Sequence, residues 1–298
     1  MSKIKLLFFM IPILTFSVKL SMSQNIASGL EGQSTYYEIA KNIQSVYPEL
    51  SVHNTGGSYE NITKLLNESS DINLAFVQYD ALLNYQIRNS EIKQKTEIVL
   101  PMYNEEVHLI TKRGNDIQSI NDIQDKIIAI GSISQGTNIT AKNIISFLNI
   151  DCEVIDIAYR DAFAALLDDK IDAFFYVGGV PVKNLSDFSI EISNLIKLVP
   201  IESDKLNGIY KNTSIKKEVY PWLVEDINTI SVQSFVVYNK TKETANFDVD
   251  NFINAVTKNL QEFQSGDEYH QKWNDVNLES IQYPDWPVNE TTLKTFKQ

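Results

Sequence analysis

The sequence predicts an α/β fold of two lobes joined by two crossovers, with a ligand cleft between them. Three observations carry that prediction. Short apolar runs alternate with helix-length segments along most of the chain, the mark of parallel βα units. Two longer extended runs, Glu97 to Thr111 (broken near Asn104) and Thr229 to Tyr238, stand outside that alternation and serve as crossovers. Turns rich in Gly, Ser and Thr separate several strands from the helix that follows, which is where such folds bind ligands.

The first series opens at Ile26-Ala27, turns at Gly29 and Gly32, and enters a helix from Tyr36 to Val46 on the spacing of Ile39, Ile43 and Val46. A strand over Leu50 to His53, a Gly56-Gly57 turn and a helix over Tyr59 to Leu66 follow. Ile72 to Val77 is a third strand, with a helix around Ala81 to Ile87. The second series has a helical turn at Asp122-Ile123, a strand at Lys126 to Ile130, a loop from Gly131 to Gly136 and a helix over Thr137 to Leu148. Val154 to Ala158, Ala162 to Leu167 and Ala173 to Val177 repeat strand, helix, strand, and Ile196 to Pro200 adds another extended segment. An amphipathic helix over Val249 to Phe263 and an irregular tail after Gly266 close the chain. The lobes are expected at 24–112 with 219–298, and at 113–218.

Residues 1–23 read as a cleaved secretory signal. Lys3 and Lys5 precede an apolar stretch from Leu6 to Val18, and Ser21-Met22-Ser23 supplies the small residues that a signal peptidase reads. The whole chain of 298 residues carries 26 Lys+Arg against 38 Asp+Glu; removing the leader takes three lysines and no acid, so the charge moves from -12 to -15. That balance excludes a nucleic-acid binder. The single cysteine, Cys152, excludes an internal disulfide and a cysteine-built zinc site, and is expected as a small core residue. Asn-x-Ser/Thr triplets at Asn61, Asn67, Asn138, Asn184, Asn212, Asn239 and Asn289 follow from a composition rich in Asn, Ser and Thr and are read as chance, in a bacterial envelope protein.

Three loops carry the chemistry: Gly29 to Thr35, Thr55 to Ser58, and Gly131 to Thr137. Glycine lets backbone amides approach a ligand, hydroxyls add donors, and a helix start carries partial positive charge. Three such ends facing one cleft would hold a small carboxylate or phosphate without an arginine, and Arg88, Arg113 and Arg160 all lie outside these loops. Ser and Thr also cap helices, so any one loop reads equally well as local structure. Tyr36-Tyr37 fits core packing and a cleft wall equally. Ser134, between strand and helix, stands where a hydrolase nucleophile would, but Ser132 replaces the first glycine of Gly-x-Ser-x-Gly and the one downstream histidine is His270. His53, His108 and His270 have no metal-ligand spacing, His108 is expected to be a hydrogen-bonded structural residue, and no turn ends in Gly-Lys-Ser/Thr.

Taken together, Thr35-Tyr36-Tyr37, Thr55-Gly56-Gly57-Ser58-Tyr59-Glu60-Asn61, Ala75-Phe76-Val77-Gln78-Tyr79-Asp80, Gly131-Ser132-x-Ser134-Gln135-Gly136-Thr137 with Thr140-Ala141, and Asp172 through Pro181 give a recognisable order. The chain resembles the TAXI family, the extracytoplasmic solute receptors of tripartite ATP-independent periplasmic (TRAP) transporters, over nearly all of its length after the leader. The resemblance implies a monomeric type II-like periplasmic binding protein, without cofactor or enzymatic activity. It would take a small anionic or zwitterionic carboxylate, glutamate, glutamine or 2-oxoglutarate-like, to the membrane subunits of a TRAP transporter in a Gram-negative bacterium. By matching positions it implies ligand contacts from Thr35, Tyr36, Gly57, Ser58, Asn61, Gln78 and Asp80 in the first lobe, and Ser134, Gly136, Thr137, Gly179 and Pro181 in the second. Gln33-Ser34 stand where family members often carry Gly-Gly, in a loop one residue longer, which could shift solute preference. A receptor for an ABC importer shares the same fold and site and is the alternative, with an exported serine hydrolase using Ser134 behind it.

Overall fold

The computed structural model describes residues 24–242, 247–278 and 285–295; the expected leader at 1–23 lies outside them. The strands are β1 (Gln24–Ala27), β2 (Leu50–His53), β3 (Leu74–Gln78), β4 (Thr96–Lys112), β5 (Ile127–Ala129), β6 (Glu153–Ile155), β7 (Ala173–Gly178), β8 (Ile196–Val199), β9 (Lys211–Ile215) and β10 (Ile227–Asn239). The helices are α1 (Thr35–Val46), α2 (Ser58–Leu66), α3 (Tyr79–Arg88), α4 (Ile92–Lys95), α5 (Gly136–Leu148), α6 (Tyr159–Leu167), α7 (Lys183–Ser186), α8 (Ile190–Ser193), α9 (Val249–Lys258), α10 (Leu260–Ser265) and α11 (Glu290–Thr295).

All the strands join one mixed sheet in the order β2-β1-β3-β10-β4-β7-β5-β6, with β8 added to β4 and β9 to β10. Two units share one plan. In the first, β1 pairs in parallel with β2 and β3; in the second, β5 pairs in parallel with β6 and β7. The two long strands lie between them. β10 runs antiparallel to β3 over Ser234 to Tyr238, β4 antiparallel to β7 over Glu106 to Thr111, and the β4–β10 ladder slips register between Gln233 and Phe235. This α/β architecture is that of two-lobed periplasmic binding proteins.

The elements follow from apolar spacing. α1 buries Tyr36, Ile39, Ala40 and Ile43 at helical intervals and is capped by Ser34, whose hydroxyl accepts from the Tyr36 amide. α5 stops at Asn149, which takes the left-handed conformation that Asn tolerates. The expected helix over Val249 to Phe263 is two helices, because Asn259 (φ -100°, ψ 5°) leaves helical geometry and caps the first. One core cluster is shared by the two units, holding Ile62, Val77 and Leu82 of the first with Ile128, Ile139 and Ile144 of the second. Separate clusters fill the opposite face of each unit, around Trp273 in one and Phe174 in the other. Cys152 is half-buried against the shared core. Among the triplets, Asn61, Asn138 and Asn239 are buried and hydrogen-bonded, which leaves no room for a glycan there.

Candidate functional site

Because each parallel unit sends its helices off from the carboxyl ends of its strands, the first turns of α1 and α2 face those of α5 and α6 across one cavity of about 280 Å³. Its wall holds Ser34 to Tyr36 from α1, Gly57 and Ser58 from α2, Gln135 to Thr137 from α5, and Ala158 to Arg160 from α6. The first amides of a helix have no acceptor within it and carry partial positive charge, so four such starts make a field that favours an anion. Arg160 adds a full charge; it is exposed and makes no ion pair among the described residues.

The floor has the opposite character. Glu105, in the middle of β4, is 4% exposed and lines the cavity with Gln78 from the end of β3. Its Oε2 accepts from Gln78 Nε2 at 2.5 Å and from the Tyr36 hydroxyl at 3.3 Å. Burial pushes the Glu105 carboxyl up to about 8, against the pull of those two donors. Folded protein therefore holds that proton more tightly than unfolded chain does. The resulting stability is full below pH 4.5, the ordinary value, and is lost as pH rises to about 8. Glu105→Gln is expected to flatten the melting-temperature profile over that interval, measured without solute by calorimetry.

The two units touch around the cavity. Gly57, in a glycine-only conformation (φ 133°, ψ -159°), brings its backbone against Gln135 and Gly136. A Cβ on Gly136 would stand 1.6 Å from Gln78 Oε1, so that glycine makes the space Gln78 occupies. Thr35 donates its hydroxyl to the Gly179 carbonyl at 3.1 Å, and the Glu60 amide donates to the Ser134 carbonyl at 3.2 Å. Deeper, Asp80 Oδ2 accepts from Thr140 of α5 at 2.6 Å and from Tyr210, just before β9, at 2.9 Å. Burial pushes the Asp80 carboxyl up to about 6 despite these bonds.

Of the residues expected at the site, Thr35, Tyr36, Gly57, Ser58, Gln78, Gly136 and Thr137 line the cavity together. Tyr36 does both things its position allowed, stacking on Phe76 at 5.1 Å while its hydroxyl reaches Glu105. The others stand behind the wall. Asn61 ties the Ser28 carbonyl after β1 to the Phe76 carbonyl of β3, fixing two loop bases. Asp80 clamps the units, Gly179 receives Thr35, Pro181 follows a cis peptide, and Ser134 Oγ pairs with Ser132 Oγ at 2.8 Å. Sequence reasoning missed Glu105, Arg160, Tyr159, Tyr176 and Asn184. Glu105 carries no signal of its place in the sequence: it sits within the long extended run from Glu97 to Thr111, away from any strand-to-helix turn.

His108 is buried, its Nε2 2.8 Å from the Tyr220 hydroxyl and its Nδ1 3.0 Å from the Glu106 carbonyl; burial holds it down at about 4, neutral at physiological pH. His270 Nδ1 accepts from the Lys272 amide. Among the described residues no His, Cys, Asp and Glu cluster suits a metal ion, and no helix is long and apolar enough to cross a membrane.

Solved structures share this architecture at low identity. The arginine transport system periplasmic binding protein from Legionella pneumophila is 13% identical (TM-score 0.50; 86% of this chain, 100% of that one). The GluR0 ligand-binding core from Nostoc punctiforme, in complex with L-glutamate, is 16% identical (TM-score 0.50; 85% and 99%). A binding protein component of an ABC phosphonate transporter from Pseudomonas aeruginosa is 11% identical (TM-score 0.50; 85% and 78%). The family model described as NMT1-like family matches residues 26–285, and the chain belongs to that family.

Proposed function

We propose that this protein is an extracytoplasmic solute-binding protein that captures a small carboxylate and delivers it to a membrane transporter. One observation carries the reading: four helix starts and Arg160 face a single cavity whose volume, about 280 Å³, is at the small end for ligand sites. The preference for an anion is local, since the chain as a whole is acidic. The lobes, divided near Lys112 and Val219, would close about the two long strands, and the solute would favour the closed state because only there do donors from both lobes reach it.

The motif order supports a TRAP transporter as the membrane partner, with glutamate, glutamine or a 2-oxoglutarate-like acid as cargo. An ABC importer is the second reading, favoured by the solved binding protein component of an ABC phosphonate transporter, which shares the fold. Neighbouring genes for large membrane subunits distinguish the two.

Native mass spectrometry of gently purified protein should reveal a co-purifying acid. Titration with L-glutamate, L-glutamine and 2-oxoglutarate should raise the melting temperature as RT ln(1 + [L]/Kd) requires; no response to any small carboxylate would sink the reading. Arg160→Ala is expected to weaken binding by about 10- to 100-fold, the loss of one charge-assisted contact. Its melting temperature without solute should be unchanged, since the side chain is exposed and unpaired among the described residues. Ester turnover abolished by Ser134→Ala would instead support a hydrolase.

A further inference from the structure

Resting on the reading above that the lobes close on a solute, we propose that the cleft opens on one face of the sheet only. The lobes pivot on the seam between α3 and α5, and the solute enters where α1 and α6 draw apart. The two faces are built differently. On the face that carries α2, α3 and α5, one apolar cluster runs across both units, and Tyr79, Ala81 and Leu82 of α3 are buried in it together with Ile139, Ala141 and Ile144 of α5. On the other face the apolar side chains divide. Tyr36, Ile39 and Ile43 of α1 belong to a cluster of the first unit, Ala162 and Leu166 of α6 to a cluster of the second. Parting two helices that share a dry core exposes apolar surface to water, whereas parting two helices that each keep their own core does not.

The polar contacts follow the same division. Asp80, 1% exposed in the first turn of α3, is the pin of the seam. Its Oδ2 accepts from Thr140 of α5 and from the Tyr210 hydroxyl, and that hydroxyl accepts in turn from Asn143 Nδ2 of α5 at 3.1 Å. Hydrogen bonds to a buried carboxylate are among the strong ones, so this cluster resists separation. Beside it, the Glu60 amide donates to the Ser134 carbonyl and keeps the starts of α2 and α5 together. On the α1 side the tie is Thr35 Oγ1 to the Gly179 carbonyl, a bond between neutral groups that water replaces readily. Gln33 and Asn184 line the cavity from opposite lobes on that side, and the exposed Arg160 stands with them. As the lobes close, the starts of α2 and α5 therefore move little, and Arg160 with the start of α6 makes the larger movement.

The test is double electron–electron resonance between nitroxide labels, in a Cys152→Ser background that removes the native thiol. A seam pair, Ile87→Cys with Phe147→Cys, uses exposed residues of α3 and α5. A mouth pair, Lys41→Cys with Lys183→Cys, uses exposed residues of α1 and of α7, which packs in the α6 cluster. In solute-free protein the seam pair should give one narrow distance and the mouth pair a broader distribution. L-Glutamate, L-glutamine or 2-oxoglutarate, whichever raises the melting temperature, should shorten the mouth pair by more than about 5 Å and move the seam pair by less than about 2 Å, the scale of a helix shift at a packed contact. Thr140→Val should lower the melting temperature yet change solute affinity by less than about two-fold, since a contact kept in both states cancels from the binding equilibrium. A seam pair that moves as far as the mouth pair, or a larger affinity change in Thr140→Val, overturns the pivot and leaves the solute-binding reading standing. If no carboxylate binds, that reading falls, and the solute-free distances still decide: a seam as broad as the mouth overturns the pivot.

Discussion

Gly57→Val is expected to weaken solute binding by about 100-fold and to lower the melting temperature of the solute-free protein by roughly 2–12 °C. The backbone at this position (φ 133°, ψ -159°) lies in a region open essentially to glycine, and forcing another residue into it costs about 1–3 kcal/mol. A Cβ there would already stand 3.4 Å from Gln135 Cα and 3.7 Å from the Gly136 nitrogen, and the two methyls of valine extend past that contact. The loop must therefore turn away, which withdraws the start of α2 from the cavity and holds the α5 loop off it. The core beneath, Ile62 and Leu65 on α2, is untouched, so most of the fold survives. For a domain of this size about 1 kcal/mol corresponds to roughly 2–4 °C. Titration calorimetry beside a thermal melt separates the two effects, and unchanged affinity would remove this loop from the site.

Lys272→Ala should cost about 3–5 kcal/mol of folding stability, because it leaves a buried carboxylate without its cation. Lys272 is 2% exposed, and its Nζ donates to Glu106 Oε1 at 2.6 Å and to Asp275 Oδ2 at 2.5 Å. Burial by itself would lower the lysine, but the two carboxylates more than offset it and hold Lys272 above the ordinary lysine range. Glu106 Oε2 also accepts from the Val180 amide at 3.1 Å, so one carboxylate ties β4 to the tail segment and to the loop after β7. The Lys272→Met, Glu106→Gln double variant should recover much of the loss, since it removes both charges and keeps the bulk. Chemical denaturation measures both variants against the unaltered protein, and a loss under about 1 kcal/mol in Lys272→Ala would show that Glu106 is held by other means.

Much of the architecture was legible because βα alternation leaves a plain trace. The spacing of Ile39 and Ile43, the turn at Gly56-Gly57 and the run into Gly136 each mark a strand end followed by a helix, and all three are where the cavity forms. The Gln33-Ser34 departure is also accounted for: Ser34 caps α1, and both residues line the cavity. What escaped lies in segments without such punctuation. β9, Lys211–Ile215, carries polar residues at nearly every position and is a strand because β10 offers it a ladder. Arg160 follows Ala158 and Tyr159 with no glycine before it, so nothing in that turn suggests a ligand. Glu105 belongs to a long strand, and only the pairing of β4 with β10 on one side and β7 on the other makes its burial visible.

The position of β10 also sets an order of assembly. β3 lies between β1 and a strand whose register places Ser234 opposite Gln78, about 150 residues later in the chain. Until residues near 240 are available, the first unit has an open edge and its core lacks Phe235 and Val237. The first βαβαβ segment is therefore completed only by a strand from far along the chain, after the whole second βαβαβ segment.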